Sequence, residues 1–184
     1  MSTFYSRLRT HRQDNDELAA CIERVVNQLD EMRTTSDRPG MLLGKIQSGK
    51  TRGFLGVIAR AFDRGYDVAI VLTKGTKTLS AQTVARITSD FADFVNDDEV
   101  AVFDIMKMPP RLTKSERARK IIIVAKKQAQ NLSRLLILFE ETYPDLRDRR
   151  TLLIDDEADL ASVRFVKGTS NNGDFVVGSP AAVA

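Results

Sequence analysis

Between residues 67 and 154 the chain alternates between two hydrophobic periods, and this alternation restricts its fold more than any other feature. Val68-Ala69-Ile70-Val71-Leu72 is an almost unbroken apolar run, and Val100 to Ile105, Ile121-Ile122-Ile123-Val124 and Leu152-Leu153-Ile154 are others. A strand that is apolar on both faces belongs in a sheet covered on both sides, which is the habit of parallel sheets. Before and between these runs lie segments with apolar residues every three or four positions. Phe54, Val57, Ile58, Ala61 and Phe62 share one face of a helix expected from about Lys50 to Arg64. Val84, Ile87, Phe91 and Phe94 do so over Leu79 to Val95, and Leu132, Leu135, Leu136 and Phe139 over Gln128 to Tyr143. Met41-Leu42-Leu43 reads as a short strand ahead of the first of these helices. Gly65 and Pro144 stand where helices are expected to stop. The alternation predicts an α/β domain with a parallel sheet flanked by helices.

A further helix is expected from about Asp14 to Arg33, with Leu18, Ile22, Val25, Leu29 and Met32 on one face, packed against the domain that follows. The single cysteine, Cys21, falls on that stripe and reads as a buried thiol. With one cysteine there is neither an internal disulfide nor a cysteine-based zinc cluster. The only histidine, His11, sits in a polar, basic stretch and reads as neither catalytic nor a ligand. That stretch, Met1 to Gln13, lacks the apolar core of a secretory signal, and no apolar run approaches the roughly 18 residues that span a membrane. These features fit a cytoplasmic protein without a membrane partner. The net charge of +3 is small, but basic residues crowd the stretch from Lys107 to Arg134, where Glu116 is the single acid. Such a stretch is ordinarily a solvated face, with nucleic-acid contact as the alternative.

The junction of the expected strand at Met41 and the helix at Lys50 is Gly44-Lys45-Ile46-Gln47-Ser48-Gly49-Lys50-Thr51. It matches the phosphate-binding loop pattern in full, with a strand before it and a helix after it. Gly49 lets the backbone curl so that its amides face an anion. Gly44, Gln47 and Ser48 complete the cradle, Lys50 brings a positive charge to the β- and γ-phosphates, and the Thr51 hydroxyl suits the shell of a Mg²⁺ ion. The positive end of the helix dipole points at the same place. The expected cofactors are therefore ATP and Mg²⁺, and the expected fold is a P-loop NTPase sheet with an N-terminal helix.

A second constellation lies at the end of the last apolar strand, Leu152-Leu153-Ile154-Asp155-Asp156-Glu157-Ala158-Asp159. Carboxylates at the C-terminal end of a buried parallel strand stand where such sheets bind ligands. The plain alternative is an acidic helix start that favours the dipole.

Asp156-Glu157-Ala158-Asp159 resembles the DEAD box of superfamily-two helicases and translocases, whose first RecA-like domain carries both this box and a P-loop. The resemblance implies that Asp156 holds Mg²⁺, that Glu157 polarises the attacking water and that Asp159 couples the site to later motifs. Asp155 is the second-choice metal carboxylate. Leu72 to Gln82 resembles the motif that follows the second strand in this family, and Val124 to Gln128 resembles the next one. Through them the resemblance implies that Lys74, Thr76, Lys77, Lys126 and Lys127 contact a nucleic-acid backbone, with DNA placed ahead of RNA. The wording of the two main motifs is similar to helicase-like domains found with restriction–modification endonucleases.

The sequence also departs from the family. No Ser/Thr-Ala-Thr segment follows the box, and no adenine-reading glutamine is clear, Gln28 being the nearest candidate. No second RecA-like lobe follows, so this chain has no arginine finger, a group worth about 10³–10⁵ in rate. The expected organisation is a helical segment over residues 1–38, an ATP-binding domain over 39–166, and a loop and tail over 167–184. The tail includes a polar loop from Gly168 to Asp174, a possible strand at Phe175 to Val177 and an abrupt stop. These features predict a fragment that binds ATP–Mg²⁺, hydrolyses it slowly alone and needs a second lobe. Two other readings are a small-molecule kinase, with Arg111, Arg117 and Arg119 in a lid, and a nucleotide-dependent switch that docks partners on its first helix.

Overall fold

The computed structural model describes residues 3–32, 50–73 and 77–156. The strands expected at Met41 to Leu43 and Phe175 to Val177 lie outside these residues, as does the loop from Gly168 to Asp174. The described chain is an α/β structure with a sheet of four parallel strands, β1 (Val68–Thr73), β2 (Val100–Asp104), β3 (Lys120–Lys126) and β4 (Thr151–Asp155). The strands lie in the order β2-β3-β1-β4. The central pairing aligns Val68 with Ile121 and Thr73 with Lys126, and β4 aligns Leu152 with Ala69. No helix among the described residues is long and apolar enough to cross a membrane.

Side-chain alternation sorts the two faces. Ala69, Val71, Ile122, Val124 and Leu152 point into one core, shared with α3 (Lys50–Asp63) and with Ile87 of α4 (Lys77–Asp90). Val68, Ile70, Ile121, Ile123 and Ala125 point into the other, shared with Leu135 of α7 (Ala129–Ile137) and with Leu112, Tyr143 and Leu146. Each large apolar side chain removed from water contributes about 1.5–3 kcal/mol, which is why strands apolar on both faces need both helical layers.

The helices before the sheet close over α3. The helix expected from about Asp14 to Arg33 forms as α2 (Asp16–Met32), and a further helix, α1 (Phe4–Arg12), precedes it in the basic stretch, joined to it by a turn in which Gln13 takes the left-handed φ of 54°. Thr3 and Ser6 form a capping box at the start of α1. The amides of Phe4 and Tyr5 donate to the carboxylate of Asp63 at the far end of α3, at 2.7 and 3.1 Å. Tyr5, Leu8, Ile22 and Val26 join the α3 core, flanked by Leu18, Val25 and Leu29. Gly56 permits this approach, because a Cβ there would lie 2.2 Å from Cδ1 of Ile22.

Two expectations about faces are corrected. Cys21 is exposed, because the buried line of α2 runs through Ile22 and Val26 and leaves the preceding position turned outward. In α7 the buried line is Asn131, Leu135 and then Leu138. Leu132 and Leu136 are therefore exposed, at 41% and 61%, where burial was expected. The helix expected to run on to Tyr143 changes to a π-helical turn over Leu138–Thr142. The segment from Leu79 to Val95 forms α4 and then α5 (Ala92–Asn96), with Ile87, Phe91 and Phe94 buried as their spacing implies. The short helix α6 (Lys114–Ala118), capped by Thr113 and Glu116, has no buried residue and left no apolar pattern to read.

Candidate functional site

The connections out of the sheet leave β1 and β3 on opposite faces. β1 leads to α4, on the α3 side, and then outward to β2, whereas β3 leads to α7, on the other side, and then across to β4. The point between two neighbouring parallel strands where the connections diverge is the usual ligand crevice of an open α/β sheet. Here it lies beyond the C-terminal ends of β1 and β3, at the register pair Thr73 and Lys126.

That crevice holds polar groups without partners. Lys126 is only 8% exposed, and no described residue is hydrogen-bonded or ion-paired to its ammonium group. By alternation from Ile122 and Val124, its side chain leaves the sheet on the α3 and α4 side. Thr73, following Ala69 and Val71, leaves on the same side. Among the described residues, the buried hydroxyls of Thr73, at the end of β1, and of Ser80, in the first turn of α4, find no hydrogen-bond partner, and neither does Nδ2 of Asn131 in α7. An unmet buried polar group costs about 1–3 kcal/mol, so several at one sheet edge mark a place organised for something other than stability. Thr73 and Ser80 fall within the segment expected to contact nucleic acid. Asn131 was not anticipated from the sequence, and its signal is an amide on the buried line of an amphipathic helix.

The carboxylates at the end of β4 separate in the same way. Asp155 follows Leu153 and lies on the α7 side, where it forms an ion pair with Lys127. The ladder extends one residue further, since the amide of Asp156 donates to the carbonyl of Leu72 at 2.9 Å. Continuing the alternation from Leu152 and Ile154 directs Asp156 to the α3 side. α3 packs against β4, and Thr51, in the first turn of α3, is partly exposed. The donor set on this side, a hydroxyl at a helix start and a carboxylate at a strand end, consists of the hard oxygens that Mg²⁺ prefers.

Gly44, Gln47, Ser48, Gly49, Lys74, Thr76, Glu157 and Asp159 lie outside the described residues. Lys50 and Lys77 belong to α3 and α4, but their side chains also lie outside the described part. The sheet brings Asp156, Lys126 and Lys127 to one edge with the start of α3 beside them, and it divides the two lysines: Lys126 faces the α3 side and Lys127 pairs on the other.

The basic stretch is not one free cationic face. Lys120 donates to Asp67 and to the carbonyl of Tyr66, both at 2.8 Å, Arg119 pairs with Asp98 at 2.9 Å, and Arg117 lies 3.8 Å from Asp145. The acidic segment before it is likewise engaged, with Asp97 and Glu99 both holding Arg7. Comparison with family models, with curated proteins and with solved structures returned no match.

Proposed function

We propose that this chain is the ATP-binding lobe of a nucleic-acid-dependent ATPase, a RecA-like P-loop domain that acts with a second lobe. The observation that carries the reading is the sidedness of the sheet edge. Asp156 is directed to the side on which α3 starts, at the end of the Gly44-to-Thr51 motif, whereas the neighbouring Asp155 is engaged with Lys127 on the other side. In this reading the amides of Gly44 to Gly49 cradle the triphosphate, and Lys50 offsets the charge of its outer phosphates. Thr51 and Asp156 would hold Mg²⁺, which would supply positive charge to offset that of the phosphates. Glu157, next in the chain, orients the water that attacks the γ-phosphate.

Lys126 is the proposed backbone contact in the crevice, with Lys74, Thr76 and Lys77 on the neighbouring loop and helix start. Lys127 contributes there only after leaving Asp155. The kinase reading loses support, because Arg117 and Arg119 are committed to carboxylates of the same chain.

The test is ATP hydrolysis by the full-length protein with and without single- and double-stranded DNA and RNA, beside Mg²⁺-ATP binding by this chain. The reading expects this chain to bind Mg²⁺-ATP with little turnover, Lys50→Ala to weaken binding, and Glu157→Gln in the full-length protein to bind without turning over. Turnover that no nucleic acid stimulates, or Glu157→Gln activity at the wild-type rate, would overturn it.

A further inference from the structure

The turn between α1 and α2 builds an arginine-lined cleft beside the start of α3. Gln13, in its left-handed conformation, reverses the chain so that Arg12 and Asp14 stand on either side of it. The Asp14 carboxylate is fully buried and accepts from Nη2 of Arg12 and from Nε of Arg52, each at 2.5 Å. One carboxylate therefore serves two guanidiniums. Arg12 is 95% buried, its side chain retaining 5% exposure, yet its Nε and Nη1 find no hydrogen-bond partner. Arg52 is 43% exposed. Arg86 of α4 is exposed, and no described residue is hydrogen-bonded or ion-paired to it.

These three arginines, with His11 and Asp90, line a cleft of about 220 Å³. At about 30 Å³ for a water molecule, this is room for a phosphate-sized anion and several waters. Around the cleft the guanidiniums of Arg12, Arg52 and Arg86 face the carboxylates of Asp14, beneath the lining, of Asp90, and of Asp93, which lies 3.9 Å from Nδ1 of His11.

We infer that this cleft binds a phosphate group. Guanidinium N–H groups form charge-assisted hydrogen bonds to phosphate oxygens: among the described residues Arg86 has its whole fork to offer, whereas Arg52, which also donates from Nη2 to the carbonyl of Arg12, has Nη1 left, and Arg12 has Nε and Nη1. The spare donors of Arg12 are a cost of the fold, and the two arginines that line the cleft with it, Arg52 and Arg86, carry the same charge. Arg52 follows Thr51, so the cleft adjoins the start of α3 at a rise of about 1.5 Å per residue. Two sources present the same chemistry there, a nucleotide seated at α3 and a nucleic-acid backbone passing between the α1–α2 turn and α4. No residue from 44 to 50 takes part, so the inference stands apart from the nucleotide reading.

Titration of this chain with inorganic phosphate at constant ionic strength, with chloride as the control, tests it by NMR of the arginine side-chain N–H groups. The expected result is saturable shifts at Arg12 and Arg52. In Arg86→Ala, binding falls about tenfold or more at an unchanged Tm, since Arg86 supports no contact of the fold. Shifts that rise linearly without saturating, or saturable binding that Arg86→Ala leaves intact, overturn the inference. Competitors then separate the sources. Displacement of phosphate by ATP in the wild type but not in Lys50→Ala assigns the group to a nucleotide, and displacement by an oligonucleotide in both assigns it to a backbone. Phosphate binding that survives Lys50→Ala upholds the cleft whatever that variant does to ATP.

Discussion

Asp155 and Asp156 are adjacent in sequence and serve opposite faces of the sheet: Asp155 is paired with Lys127 on the α7 side, while strand alternation directs Asp156 to the α3 side. This sidedness separates two substitutions that look equivalent in the sequence. Asp156→Asn is expected to weaken Mg²⁺-dependent ATP binding by about tenfold or more. Asp155→Asn is expected to leave binding within about twofold and to cost stability about 1 kcal/mol or less, because that pair is partly open to water. Isothermal titration with and without Mg²⁺, together with urea unfolding, measures both. The reverse ranking would move the metal carboxylate to Asp155.

Lys126 gives the second prediction. Lys126 is nearly buried and its ammonium has no partner among the described residues, which is unfavourable for folding, so Lys126→Met is expected to hold or raise the Tm. If Lys126 meets a phosphodiester, the same change weakens oligonucleotide binding and reduces the slope of log affinity against log salt by about one. Fluorescence anisotropy at several salt concentrations reads both quantities. Weakened folding with unaltered nucleic-acid affinity would make Lys126 a structural residue.

The sheet was readable from the sequence because its strands are apolar on both faces, so Val68 to Leu72 or Ile121 to Val124 fits no half-exposed element. The face of α3 was equally clear, since Phe54, Val57, Ile58, Ala61 and Phe62 are all buried. What escaped was structure held by few or polar contacts. α1 buries only Tyr5 and Leu8 and is fixed by its cap and by Asp63, none of which leaves a periodic trace. Cys21, Leu132 and Leu136 were misread for a related reason: spacing defines a stripe, but packing chooses its centre, and a rotation of one position exchanges inside for outside. In the candidate site, the acids at the end of β4 were visible as a motif. The divergence of chain connections at Thr73 and Lys126 depends on strand order, which no local pattern encodes.

The approach of α2 to α3 depends on the missing side chain at position 56. A Cβ there would meet Ile22 Cδ1 at 2.2 Å and Tyr5 Cε2 at 3.3 Å. Gly56→Val is therefore expected to destabilise the chain by about 1–3 kcal/mol through overpacking, despite the loss of a helix-weakening glycine. The double variant with Ile22→Ala, which vacates the same space, is expected to lose less than the two single changes together. A urea-unfolding cycle measures this coupling, and strict additivity would show that the helices separate readily at Gly56.

The same two helices are clamped by Glu23, which accepts from Nε of Arg60 at 2.5 Å and from Arg64 at 2.7 Å. The hydrogen bond from Arg60 is the foremost cause, with Arg64 adding to it, of a carboxyl pKa lowered from 4.5 to about 2. A group whose folded pKa is depressed adds stability above its unfolded value, and that stability is lost as the pH falls through the folded one. Glu23 therefore supports the fold fully above about pH 5, and its contribution fades between about 4.5 and 2. Its side chain is 39% exposed, so screening holds the effect to about 1 kcal/mol. Urea unfolding of the wild type and Glu23→Gln across this range isolates the contribution, because the other carboxylates are common to both. The stability difference is expected to be constant from pH 5 to 7 and to shrink steadily below 4.5. High salt should lower its plateau. A difference that persists unchanged at pH 3 would mean that Glu23 acts through packing or neutral hydrogen bonds, with its charge irrelevant to how α2 is held on α3.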